Sequence, residues 1–176
     1  GCGMGGKTTS LQVVHEFMCP RNEVQLVSIK TEEDATLLFD FLPIDLGNVE
    51  GFKVRIQGFT VPGQPKYRRM RKYVLSGADA VVFVVDSETS RLEENLQSLE
   101  SLKENLALNG IDPDTIPIVL QYNKRDLEDV LSEEELDGHF RFREDLISFP
   151  SIATEGRGVF ETFVHAAGQL VEAKVR

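Results

Sequence analysis

The first nine residues, Gly1-Cys2-Gly3-Met4-Gly5-Gly6-Lys7-Thr8-Thr9, constrain this chain more than any other stretch. Gly1, Gly6, Lys7 and Thr8 satisfy every fixed position of the phosphate-loop pattern GxxxxGK[ST]. A bound polyphosphate needs backbone N–H groups converging on it, and glycines let the chain curl that tightly. The loop then opens a helix, whose first N–H groups and dipole favour an anion. Lys7 is expected to bridge the β- and γ-phosphates, and the Thr8 hydroxyl to ligate Mg²⁺. The plainer alternative, a flexible glycine-rich end before a helix, leaves the complete motif unexplained.

At 176 residues the chain suffices for one core, so a single domain over 1–176 is expected. A net charge of −10 argues against non-specific binding to nucleic acid or anionic membrane. It does not argue against a nucleotide, because lysine and backbone amides can oppose the global field locally. Cys2 and Cys19 are too few for a disulfide framework, which makes a reducing cytoplasm the default. No apolar run reaches membrane-spanning length, and the C-terminus has no prenylation cysteine.

A phosphate loop ordinarily follows a buried strand, whereas this sequence opens at the motif's first glycine. A preceding mid-sheet strand is therefore expected upstream. Downstream, Ser10 to Phe17 reads as a helix with Leu11, Val14 and Phe17 on one side. Val24 to Ile29 is strand-like, and residues 31–36 form a polar loop. Leu37 to Leu42 and Phe52 to Val61 read as antiparallel neighbours around Gly47 to Gly51, with Asp40 expected to face solvent. A basic segment from Lys66 to Lys72 enters a helix ending near Gly77. Asp79 to Asp86 reads as a strand buried on both faces, as parallel sheets require. Leu92, Leu96, Leu99, Leu102 and Leu106 recur at helical spacing until Gly110 and Pro113. Ile116 to Tyr122 is another buried strand, and Ser132 caps a helix with early acids. Ile147 to Pro150 is a short strand, and Val159 to Val175 a closing amphipathic helix. The alternation predicts an α/β, doubly wound, mostly parallel sheet with helices on both faces.

In such folds ligands bind at the carboxyl ends of the parallel strands. Asn123-Lys124-Arg125-Asp126 falls there and matches NKxD. A carboxylate at Asp126 can accept from both N1–H and N2–H₂ of guanine, which adenine does not offer. The Lys124 stem can lie along the purine, and Asn123 can tie this loop to the phosphate loop. Together these features make the chain resemble a Ras-like small GTPase of the P-loop NTPase class. The resemblance is greatest to the bacterial MglA-type group of cell polarity and gliding motility. Thr36 to Pro43, Thr60-Val61-Pro62-Gly63-Gln64 and Gln121 to Leu127 carry it, and it spans essentially the whole sequence.

The resemblance implies further roles, among them a phosphate cradle made by Gly3, Met4, Gly5, Gly6, Lys7, Thr8 and Thr9. Thr36 would be the switch-I threonine that joins Thr8 in the Mg²⁺ shell. Gly63 would offer its N–H to the γ-phosphate, and Gln64 would orient the attacking water, making Gln64, Lys7 and Gly63 the catalytic set. Ala153 would present its N–H to the guanine carbonyl. Loss of the γ-phosphate would release both switch loops. GTP and GDP are the implied ligands, with effectors and a homodimeric Roadblock-family (MglB-type) activator as implied partners. The implied protein is monomeric alone, cytoplasmic, and recruited to a cell pole.

Two positions depart from the common pattern. Thr60 stands where most Ras relatives carry an aspartate, a mark of the MglA-type group, so outer-shell metal binding is expected to be weaker. Ala35 stands where members of that group carry an arginine finger, worth roughly three to five orders of magnitude in rate. Slow hydrolysis follows from this, unless Arg68 or Arg69 of the basic segment substitutes. That segment otherwise reads as a solvated helix face or a partner surface. Ala35 also supports an alternative, a nucleotide-binding scaffold that scarcely hydrolyses, whereas Gln64 and Gly63 favour an enzyme. Asp126 opposes an ATP-dependent phosphotransferase. His15, His139 and His165 are scattered and read as structural, and Cys2 reads as incidental.

Overall fold

The computed structural model describes residues 1–18, 27–30, 37–49, 51–63 and 67–175. Helix α1 (Lys7–Met18) leaves the phosphate loop and is followed by β1 (Val27–Lys30), β2 (Leu37–Val49) and β3 (Phe52–Phe59). Helix α2 (Arg68–Val74), β4 (Val81–Asp86) and α3 (Leu92–Leu108) come next. The chain closes with β5 (Ile118–Asn123), α4 (Glu133–Phe140), β6 (Ile147–Pro150) and α5 (Val159–Val175). The α/β class expected from the alternation holds. Among the described residues the strands form two sheets of three, β1-β2-β3 antiparallel and β4-β5-β6 parallel. The antiparallel β2–β3 pair and the parallel β4, β5 and β6 are both as the sequence predicts. A cavity of about 740 Å³ lies between β3 and β4, with Leu11 of α1 and Phe163 of α5 in its wall.

The β4 and β5 runs are buried because helices cover both faces, as their unbroken apolar sequence requires. On one side α3 and α4 pack Leu99, Leu102, Leu106, Leu136 and Phe140 onto Phe83, Val85, Ile118 and Leu120. On the other, α1 and α5 bring Val14 and Val159 to Leu42 and Ile44 of β2. Helix α4 begins as its sequence predicts. The Ser132 hydroxyl accepts from the Glu135 N–H at 3.2 Å, and the Glu135 carboxylate accepts from the Ser132 N–H at 2.8 Å.

Several boundaries and faces differ from expectation. Strand β2 runs on through Gly47 to Val49, because its ladder to β3 absorbs a register shift between Asp45 and Gly47 instead of breaking there. The basic helix is confined to α2, and the strand-like Val24 to Ile29 lies partly outside the described residues. Phe17 is exposed beside buried Val14 and stacks on Phe160 of α5 at 5.1 Å.

The main correction concerns Asp40, which does not face solvent but is wholly buried. Alternate residues of a strand share a face, and Asp40, Leu42 and Ile44 share the inward one. The other face of the ladder carries Phe41, whose ring meets that of Phe59 at 4.9 Å.

Candidate nucleotide-binding site

The phosphate loop is held by side chains reaching it from distant parts of the chain. Asn123, the last residue of β5, is almost fully buried and donates from Nδ2 to the Gly5 carbonyl at 2.9 Å. Its Oδ1 accepts from the Ala153 N–H at 2.9 Å and the Ser151 hydroxyl at 3.2 Å. One amide thus joins the phosphate loop, the end of β5 and the loop after β6. Gly6 sits beneath it with φ of 100°, where a Cβ would come within 2.1 Å of Asn123 Nδ2. Only glycine fits that crossing.

Arg91, just before α3, donates from Nη2 to the Gly3 carbonyl at 2.8 Å. Its Nε lies 3.8 Å from the buried Asp86 carboxylate at the end of β4, which Lys124 meets at 2.5 Å. Asn95 fixes the Asp86 backbone from α3, accepting its N–H at 3.1 Å and donating to its carbonyl at 2.8 Å. Gln121 reaches Ser10 on α1 at 2.9 Å and Ser151 at 3.1 Å. Lys7 donates to the Gly1 carbonyl at 3.1 Å and to the Cys2 carbonyl. Burial pulls its ammonium below the ordinary lysine pKa, and the Arg71 charge adds to the shift. A phosphate anion would supply the countercharge that makes the ammonium favourable there.

Thr8, the expected metal ligand, donates its hydroxyl to Asp40 Oδ2 at 2.8 Å. The Thr60 hydroxyl donates to the same oxygen at 2.9 Å and accepts from the Asp40 N–H at 2.7 Å. Gly63 is pressed against the loop, where a Cβ would fall 2.4 Å from the Gly3 nitrogen and 2.5 Å from the Cys2 carbonyl carbon.

The loop and the NKxD segment meet in a cavity of about 310 Å³. Met4, Gly6 and Thr9 form one wall, while Asn123, Lys124, Asp126 and Ala153 are gathered in the rest. Among the described residues two non-glycines have positive φ, Met4 at 57° and Lys124 at 67°, and both line it. Such backbone is unusual and collects at functional sites. The Ala153 N–H is committed to Asn123, so a bond to guanine requires that hydrogen to be shared. Thr36 and Gln64, together with Ala35, lie outside the described residues.

Residues 29–169 match the ADP-ribosylation factor (Arf) family. The chain is also 44% identical over 176 residues to the mutual gliding-motility protein MglA of Myxococcus xanthus (strain DK1622). That alignment covers all of this chain and 89% of the relative. The chain belongs to the MglA-type small Ras-like GTPases. As a member of this family it binds GTP and GDP and hydrolyses GTP, and the non-hydrolysing scaffold is disfavoured.

Sequence reasoning named the loop and NKxD residues that the GTPase brings together, but missed Asp40, Asp86 and Arg91. Parity with Leu42 and Ile44 was the available signal for Asp40. Arg91 meets Gly3 across 88 positions of sequence, and no local pattern marks that contact.

Proposed function

We propose that this GTPase is a GTP/GDP switch in bacterial cell polarity or gliding motility. The cavity that gathers phosphate loop and NKxD residues around one base-sized space carries the reading. Gly3 to Thr9 hold the phosphates, and Lys7 bridges the β- and γ-phosphates. Asp126 selects guanine, while Asn123 and Lys124 build the walls around it. Ala153 contributes its N–H to the base.

Thr8 suits Mg²⁺, since its hydroxyl is a hard oxygen donor with a carboxylate beside it. Thr8 and Thr36 are the residues that would hold the ion, which when bound neutralises phosphate charge. Gly63 would offer its N–H to the γ-phosphate, a role its closeness to Gly3 supports. Gln64 orients the attacking water for in-line displacement. Release of the γ-phosphate then frees Thr36 and Gly63, and with them both switch loops.

The relative's gliding-motility role supports the cellular assignment. The family resemblance supports a homodimeric Roadblock-type activator docking near the switches, effectors that read the GTP state, and a cytoplasmic protein recruited to a pole. No helix among the described residues is long and apolar enough to cross a membrane. Ala35, lacking a guanidinium, leaves intrinsic turnover slow.

Single-turnover hydrolysis of preloaded GTP by the full-length protein tests this, with and without the Roadblock-type partner. The expected result is slow turnover alone, acceleration by the partner, and acceleration by Ala35→Arg of at least about tenfold. Equal rates for Ala35→Arg and wild type would refute the part assigned to position 35. ATP competing as well as GTP for the loaded site would refute the guanine assignment.

A further inference from the structure

The guanidinium of Arg91 reaches the phosphate loop from outside the cavity that the loop shares with the NKxD segment. Its Nη2 donates to the Gly3 carbonyl at 2.8 Å, while Met4, the next residue, lines that cavity. The Gly3 carbonyl and the Met4 N–H belong to one peptide unit. A trans peptide directs the two oppositely, so a cation on the carbonyl turns the N–H away from Arg91. The same cation strengthens that N–H as a donor, because hydrogen bonds in a chain polarise one another.

Arg91 is firmly mounted. Asn95, one helical turn further on, donates to the Arg91 carbonyl at 2.9 Å and to the Asp86 carbonyl at 2.8 Å, which ties the start of α3 to the end of β4. The Arg91 side chain is 22% exposed and engages through each of its nitrogens. Nη1 meets the Glu94 carboxylate at 2.5 Å, and Nε lies 3.8 Å from the wholly buried Asp86 carboxylate. Together with the Gly3 carbonyl these fix the guanidinium plane. Only a planar fork offers donors in all three directions.

We infer that Arg91 is a positioning residue for the phosphate chain in this GTPase, aiming the Met4 N–H at the β-phosphate without itself touching the nucleotide. The inference rests on the proposal that Gly3 to Thr9 hold the phosphates. The phosphates beyond the first are the target, because the loop's backbone cradles the β- and γ-phosphates. The competing account makes Arg91 a clamp between β4 and α3, acting through Asp86 and Glu94 and indifferent to the number of phosphates.

Nucleotides of different phosphate number separate the two. The readout is the affinity of the full-length protein for GDP and for GMP, each measured by displacement of a fluorescent GDP analogue. Arg91→Ala is expected to weaken GDP by at least about tenfold, the size of a lost hydrogen bond to a charged group, and GMP by less than about threefold. A clamp would weaken both in equal proportion or leave both unchanged, and either result overturns the inference.

If Arg91→Ala does not fold, Arg91→Lys decides alone. An ammonium keeps the charge beside Asp86 and Glu94 but lacks the fork that reaches Gly3 as well. A loss of GDP affinity at least about threefold greater than that of GMP supports the inference, and equal or absent losses overturn it. A wild-type protein that binds GMP as tightly as GDP would instead overturn the phosphate-loop proposal, and this inference with it.

Discussion

Asn123 makes a structural demand that is separable from any contact with a nucleotide. Asn123→Ala removes a donor to the Gly5 carbonyl and an acceptor for the Ala153 N–H, both at 2.9 Å. The Ser151 hydroxyl still has Gln121 Nε2 at 3.1 Å and the Tyr122 carbonyl at 3.4 Å, so it is not orphaned. Two backbone groups remain unpaired, at about 1–3 kcal/mol each. Water entering from the adjoining cavity can relieve part of this, which places the total near 2–4 kcal/mol. For a chain of this size each kcal/mol moves Tm by roughly 2–4 °C, so a fall of about 5–15 °C is expected. The assay is thermal unfolding of the nucleotide-free protein, followed by the same scan with saturating GDP. The ligand-free fall is the diagnostic, since the bonds concerned involve no ligand. An unchanged ligand-free Tm with only a weaker response to GDP would refute the reasoning and leave Asn123 as a ligand contact alone.

Other perturbations test other parts of the site and fold. Gly63→Ala places a methyl 2.4–2.6 Å from Gly3 and Cys2 backbone atoms, so the switch or the phosphate loop must move; single-turnover GTP hydrolysis should fall at least about tenfold, a 1.4 kcal/mol loss. Asp126→Ala should abolish discrimination between guanine and adenine nucleotides, read by competition of ATP against bound fluorescent GDP. Ser132→Ala removes the α4 cap and should lower stability by about 1 kcal/mol in urea titration. The Ser132 backbone N–H, and then its hydroxyl, hold the Glu135 carboxyl below its ordinary pKa. Its stabilising contribution is therefore present above the ordinary glutamate value and lost as pH falls through the lowered one, and Ser132→Ala should flatten that acid limb.

Strands β4, β5 and β6 and helices α3 and α5 were legible because their patterns are set by burial on known faces. The NKxD and phosphate-loop residues were legible because their chemistry fixes short spacings. Asp40 was misread by weighing its polarity above its parity. A charged residue in an apolar strand usually turns outward, but here two hydroxyl donors make burial tolerable. Only the fold brings those donors to it, from positions 8 and 60. Asp86 was named as the acid ending a strand, but its meeting with Lys124 and Arg91 depends on how the loops after β4 and β5 lie. The reach of Gln121 to Ser10, 111 residues apart, is equally invisible to any local pattern.

These long-range bonds explain how a glycine-rich loop acquires a fixed direction. Every peptide bond among the described residues is trans, so each carbonyl points opposite to the N–H of the next residue. Arg91 holds the Gly3 carbonyl, which aims the Met4 N–H away from Arg91. Asn123 holds the Gly5 carbonyl, which aims the Gly6 N–H away from Asn123. The donors that a phosphate needs are thus set by side chains gripping the back of the loop, and glycine freedom is spent before any ligand arrives. Both grips lead to the strand ends that build the base cavity, Arg91 through Asp86 to Lys124 and Asn123 directly. The phosphate loop and the NKxD segment therefore share one framework. Gly63 bears on the same loop at Gly3, the residue whose carbonyl Arg91 holds. The loop that Gly63 meets is therefore braced from behind at Gly3 and at Gly5.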